Sequence, residues 1–191
     1  MANTDVILQF LYPSDDNQDM RTFQAKQMVE GSTEMVEMYK VCSFSAHQQL
    51  VLLPRSHQFH HPATGSTSGV TSFQRKNLNT QRWENAGQIE WMSDSSANVY
   101  FGIERVSARE LRRSKKTSSK SRRFKVAGSE YKWKIAENGV DLFCVSTRGK
   151  TVAVWSQETQ VLRVTERAEG FLDRVVVTCL LNLWMKNLNI W

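Results

Sequence analysis

The chain has 191 residues, with 25 Lys+Arg against 19 Asp+Glu, four His and three Cys. That length suits one domain, 1–191, which can bury about 70% of its unfolded surface without a metal or disulfide to hold it. At 40% hydrophobic and 10% aromatic it is too apolar for disorder throughout, and the composition excludes collagen, coiled-coil and low-complexity chains.

Residues 4–12 and 35–53 are apolar, in part β-branched and bounded by polar clusters, so they are predicted strands. Between them, 13–34 is an acidic connector. Residues 54–72 carry two of the three prolines together with Gly65, Ser66, Ser68 and Gly69, a loop composition. From Val70 onward the pattern is regular. VTSFQRK, GQIEWM, ANVYFGIERV, RRFKVA, SEYKWKI, VDLFCVS, TVAVWSQ and QVLRVT are short segments separated by turn residues. Apolar side chains alternate at Val99, Phe101 and Ile103, at Tyr131, Trp133 and Ile135, and at Val152 and Val154, which gives each strand one dry and one wet face. Asn138-Gly139 and Arg148-Gly149 fall where hairpin turns belong. Ten or eleven such strands predict a mainly β, antiparallel meander closed or nearly closed into a barrel. Residues 70–186 carry this pattern most clearly.

The last segment changes period. From Gly170 the chain runs 18 residues without a turn signal, with Glu169 and Asp173 near the start and Lys186 near the end, as a helix dipole favours. Its polar residues after Asp173 are Arg174, Thr178, Asn182 and Lys186, four apart on one narrow stripe. A helix so apolar elsewhere must be enclosed on most sides, and in an all-β protein the enclosure is the inside of the barrel. The predicted helix is 170–186. Trp91, Trp133 and Trp155 are expected in the core.

Cys42, Cys144 and Cys179 are widely spaced with no CxxC pair, so neither a zinc knuckle nor a thioredoxin-type redox site is encoded. No basic n-region opens the chain, no Asn-x-Ser/Thr sequon occurs, and the longest charge-free run in the C-terminal stretch is 11 residues. These features predict an intracellular setting, cytoplasmic or peripheral to a membrane.

The motifs resemble a family. Ile89-Glu90-Trp91, Ser119-Lys120-Ser121-Arg122-Arg123-Phe124, Gly128-Ser129-Glu130-Tyr131-Lys132-Trp133-Lys134 and Leu172-Asp173-Arg174-Val175-Val176-Val177-Thr178 occur in that order. They resemble a fungal family of uncharacterised domains placed with the tubby C-terminal and scramblase-like barrels. The resemblance implies about twelve strands wrapped around a hydrophobic C-terminal helix. It includes phosphoinositide-binding and scramblase relatives, and at fold level it carries lipid binding only by analogy.

Charge points the same way. Residues 91–130 hold ten basic and four acidic side chains, whereas 1–40 hold three and seven. Nine of the 17 residues in 109–125 are basic. Arginine forks bind phosphate bidentately, and a cluster of four to eight cations near an anionic membrane contributes roughly 1 kcal/mol each. The candidate contacts are Arg122, Arg123, Lys125, Lys132 and Lys134, with Arg112, Arg113 and Lys120 behind them. Arg122 and Arg123 are expected together at an exposed strand entrance. The bland alternative is a solvated loop that binds nothing specific.

Other chemistry is scarce. His57, His60 and His61, with His47 nearby, lack the spacing of a zinc site, so no metal is expected. No G-x-S-x-G, glycine-rich phosphate loop or HExxH occurs, and Cys179 in the apolar helix reads as a small hydrophobe. Neither a cofactor nor an enzymatic activity is expected. Ser114 and the Thr117-Ser118-Ser119 cluster in the basic run resemble sites for a basic-directed kinase, or are soluble filler. The sequence predicts a binding module for an anionic ligand, foremost phospholipid headgroups. A protein-interaction domain with an incidental basic loop, or a nucleic-acid binder, is the alternative.

Overall fold

The computed structural model describes residues 5–13, 20–28, 34–45, 69–116 and 119–191. Twelve antiparallel strands form one sheet: β1 (Val6–Leu11), β2 (Phe23–Met28), β3 (Met35–Ser45), β4 (Gly69–Lys76), β5 (Trp83–Trp91), β6 (Ala97–Phe101), β7 (Glu104–Ser107), β8 (Ser121–Val126), β9 (Ser129–Ile135), β10 (Leu142–Ser146), β11 (Thr151–Ser156) and β12 (Val161–Val164). One helix, α1 (Leu172–Asn187), follows. Among the described residues no helix is long and apolar enough to cross a membrane.

Each strand pairs with its neighbour in sequence along two meanders, β1 to β7 and β8 to β12. The meanders join where β1 pairs with β12, Leu8 facing Leu162. The ladder therefore has two edges, β7 and β8, and it does not close between them. The segment after β7, through the 3₁₀ turn Glu110–Arg112, crosses that seam and touches β8 in a single bridge, Arg113 to Arg123.

Alternation decides which side faces in. Leu8, Phe10, Phe23, Tyr39, Val41, Phe73, Ile89, Val99, Phe124, Leu142, Cys144, Leu162 and Val164 are buried, as are Trp91, Trp133 and Trp155. The inner face packs around α1, whose Val175–Val177, Cys179–Leu181 and Leu183 are buried on every side. Strands far apart in the sheet reach the same helix. Tyr39 of β3 donates to Asp173 at 2.6 Å, Trp91 of β5 lies 5.8 Å ring to ring from Trp184, and Trp133 of β9 donates to Thr178 at 3.0 Å. The sheet thus curls about α1, as the narrow polar stripe requires.

Several local expectations need correction. The acidic connector contains β2, whose Phe23 and Ala25 are buried while Gln24 is exposed. ANVYFGIERV is two strands, not one. Gly102 has φ +61 and starts a two-residue hairpin turn, a position a side chain resists, so Ile103 projects fully into solvent instead of continuing the inner row of Val99. The helix begins at Leu172 and not at Gly170, because Glu166–Phe171 winds as 3₁₀ turns. The turns at Asn138-Gly139 and Arg148-Gly149 occur where expected. Residues 46–53 of the predicted second strand and His47, His57, His60 and His61 lie outside the described residues.

Candidate anion-binding surface at the open seam

The register of β8 on β9 sorts the basic residues by face. Opposed residues in an antiparallel pair share a side of the sheet. Arg122 opposes Trp133 and Phe124 opposes Tyr131, which is the inner side. Arg123 opposes Lys132, Lys125 opposes Glu130, and Ser121 opposes Lys134, which is the outer side. Arg123, Lys125, Lys132 and Lys134 are therefore brought to one outer surface, and Arg122 is not among them. Adjacent residues on a strand point apart, so Arg122 and Arg123 cannot share a surface.

Individual environments differ. Lys125 is exposed, while Lys132 and Lys134 are half-buried, the Lys134 ammonium lying 5.6 Å from the centre of the Phe143 ring. Arg123 forms an ion pair with Glu130, and its Nε is buried with no hydrogen-bond partner among the described residues. Arg113 holds Arg123 through the backbone: its N–H donates to the Arg123 carbonyl at 3.0 Å, and its carbonyl accepts the Arg123 N–H at 2.9 Å. Arg113 and Lys120 side chains are exposed.

Arg112 and Arg122 belong to a different place, the inner rim beside the end of α1. Arg112 Nε donates to Asn182 Oδ1 at 3.1 Å and one of its Nη atoms to the Ile190 carbonyl at 3.3 Å. Burial, and then the nearby Arg122, pushes the Arg112 guanidinium down to about 10. Arg122 donates to the Ser119 carbonyl at 3.0 Å and lies 5.5 Å from the Trp191 ring centre, and burial lowers its pKa as well. Trp191 in turn donates to the Lys120 carbonyl at 3.1 Å.

Between the two sheet edges lies a cleft of about 330 Å³. Its walls bring Glu104 and Arg105 of β7, Arg113, Arg123 and Lys125, Glu130 of β9 and Arg174 of α1 around one space. Two ion pairs neutralise part of it, Arg174 with Glu104 and Arg123 with Glu130. Arg105, Arg113 and Lys125 have no salt bridge among the described residues, against one such carboxylate, Glu110. The cleft therefore keeps an excess of positive charge next to the outer lysines. Arg105 and Arg174 were not singled out in the sequence as site residues. Arg174 had a signal, its place on the polar stripe, but Arg105 was hidden in what read as the end of one long strand.

Residues 55–186 match the family described as a family of unknown function (DUF6593). This chain belongs to that family. The DUF6593 span takes in β4 to β12 and all but the last residue of α1, including every residue of the seam cleft; β1 to β3 lie before it. No curated protein and no solved structure matches the chain.

Two of the three cysteines are sequestered, and Cys42 is half-buried. Cys144 and Cys179 are fully buried, and burial pushes both thiols above the ordinary cysteine range. The Tyr39 hydroxyl, buried and donating to Asp173, is likewise raised, and Arg75 completes that cluster 3.1 Å from Asp173. Through Asp173, Tyr39 and Arg75 tie β3 and β4 to the start of α1.

Proposed function

We propose that the chain is a non-enzymatic binding module for an anionic ligand, with phospholipid headgroups at a membrane surface as the ligand class. The observation that carries this reading is the seam. Three cations without salt bridges, Arg105, Arg113 and Lys125, converge there beside Lys132 and Lys134 on the outer face. A headgroup phosphate in the cleft gains charge-assisted hydrogen bonds from the arginines, while the lysines act as point charges toward the surrounding lipid. Beside the lysines the outer face is apolar: Phe143 lies under Lys134, and Val154 opposite it on β11 is exposed. Apolar contact next to cations suits the interfacial region of a bilayer. The tubby-like description of the fold is part of the same proposal, with a barrel whose last seam is bridged by residues 108–113 and not zipped by a ladder.

The test is vesicle sedimentation with phosphatidylcholine carrying increasing phosphatidylserine or phosphatidylinositol phosphate, beside a single-stranded RNA titration. Charge reversal belongs at Lys125, Lys132 and Lys134, not at Arg122 and Arg123, because those two have internal partners. Three terms of about 1 kcal/mol each turn repulsive, so vesicle binding falls by more than about tenfold while the fold persists. A headgroup site keeps a preference between lipids of equal charge. Equal binding of RNA and vesicles, lost together with salt, marks a plain electrostatic patch. Wild-type protein that binds neither at low salt ends the anionic-ligand reading and leaves the protein-interaction one.

A further inference from the structure

A second cavity, of about 360 Å³, lies away from the seam cleft, between the β5–β6 loop and the segment that leaves β7. Its polar lining is Ser95, Ser96, Ser107, Arg109 and Arg112, and no carboxylate lines it. Neither arginine has a salt bridge among the described residues. Met92 and Met185 contribute apolar wall. The volume is at the small end for a ligand pocket, and the mix of a few convergent polar groups with apolar wall is what such pockets have in common.

The arginine inside is held in place. Arg112 Nε is fixed by Asn182 Oδ1 at 3.1 Å, and Asn182 is itself anchored by donating to the Thr178 carbonyl at 2.7 Å. One Nη is taken by the Ile190 carbonyl at 3.3 Å, which leaves the other Nη free to donate. Ser107 Oγ accepts the Glu110 N–H at 3.2 Å, so its own proton is available as a donor. Asp94, the acid of the β5–β6 loop, makes no salt bridge with either arginine; its carbonyl receives the Trp184 indole at 2.8 Å. Two arginines and three serines thus line the pocket, with no carboxylate among its lining residues. A half-buried guanidinium in that setting gains from a dianion that accepts several hydrogen bonds at once.

We infer that this pocket binds a soluble phosphate monoester, its phosphoryl oxygens on Arg109, Arg112 and Ser107 and its organic part toward Met92 and Met185. The site is separate from the membrane surface described above and does not depend on it. Inorganic phosphate and glycerol 3-phosphate, titrated at constant ionic strength, should raise the melting temperature saturably. They should also shift the amide resonances of residues 95–97 and 107–112, whereas chloride and glycerol do neither. Arg109→Gln and Ser107→Ala should each weaken glycerol 3-phosphate by about tenfold or more, the loss expected for a charge-assisted or buried hydrogen bond. Arg112→Gln strands Asn182 and risks the fold, so the two rim variants decide. Lys132→Gln with Lys134→Gln should lower vesicle binding and leave glycerol 3-phosphate binding unchanged, which separates failure of this site from failure of the membrane reading. No saturable response, a response equal to that of chloride, or wild-type affinity in both rim variants overturns the inference. So does binding of the monoester only as phosphatidic acid in vesicles.

Discussion

Replacing Thr178 by Val tests whether α1 is truly enclosed by the sheet. Thr178 and Trp133 are both fully buried, and the indole N–H of Trp133 donates to Thr178 Oγ1 at 3.0 Å. Thr178 donates its own proton to the Arg174 carbonyl at 2.7 Å, which remains within the helix ladder after the change. Valine keeps the shape and removes the acceptor. Leaving a buried donor unpaired costs about 1–3 kcal/mol. The extra buried methyl returns about 0.8 kcal/mol at most. The expected net loss is about 0.2–2.2 kcal/mol, or a fall of up to about 9 °C in Tm for a chain of this size. Urea unfolding should show a lower midpoint with an unchanged slope. A double-mutant cycle with Trp133→Phe should recover about 1 kcal/mol, because the second substitution removes the stranded donor. Neutral or increased stability in Thr178→Val alone would mean that water reaches the indole, and the enclosure of α1 by β9 would have to be abandoned.

The other expected outcomes concern the core and its buried thiols. Val176→Asp or Leu180→Asp places an unpaired charge at a position with no solvent exposure; it should cost several kcal/mol and leave little soluble protein, and normal yield with an unchanged Tm would show the helix to be peripheral. Burial raises the Cys144 and Cys179 thiols above the ordinary 9.0, so the folded chain keeps protons that the unfolded chain releases. Their stabilising effect is complete well below pH 9 and is lost as pH rises through and above it, by about 1 kcal/mol for each thiol between pH 9 and 10. Urea unfolding between pH 9 and 10 should show this slope, and the Cys144→Ala/Cys179→Ala variant should lack most of it. An identical slope in the variant would contradict the assignment.

Much of the fold is written in local periodicity. Strands from β4 onward carry one dry and one wet face, so their alternation is visible without any knowledge of neighbours. β2 escaped because only Phe23 and Ala25 of its six residues are buried and apolar, too few to stand out from an acidic surrounding. The β6–β7 hairpin escaped because Gly102 interrupts a run whose hydrophobicity continues through Ile103. The candidate site was legible as charge and illegible as geometry. The basic run gives the sign of the surface, but which of Arg122 and Arg123 faces outward depends on the pairing of β8 with β9, and a one-residue slip would exchange them. Arg105 and Arg174 reach the cleft from segments far from the run, a convergence that only the curl of the sheet produces.

The polar stripe of α1 explains how an open seam is held. Each of its four residues has a partner near the gap or on the β8 side of it. Arg174 pairs with Glu104 of β7, Thr178 takes the indole of Trp133 in β9, and Asn182 takes Arg112 from the crossing segment. Lys186 donates to the Val140 carbonyl at 3.0 Å, beyond β9. Arg174 also lies 4.2 Å from the Phe101 ring centre of β6. The apolar positions between them are buried in the core, and toward β3 and β4 the helix start is held by Asp173 with Tyr39 and Arg75. The helix thus links edge strand β7 and the crossing segment to β9, the neighbour of β8, by side-chain bonds spaced one turn apart. Because the helix carries that connection, the seam can remain an open cleft with no ladder between β7 and β8.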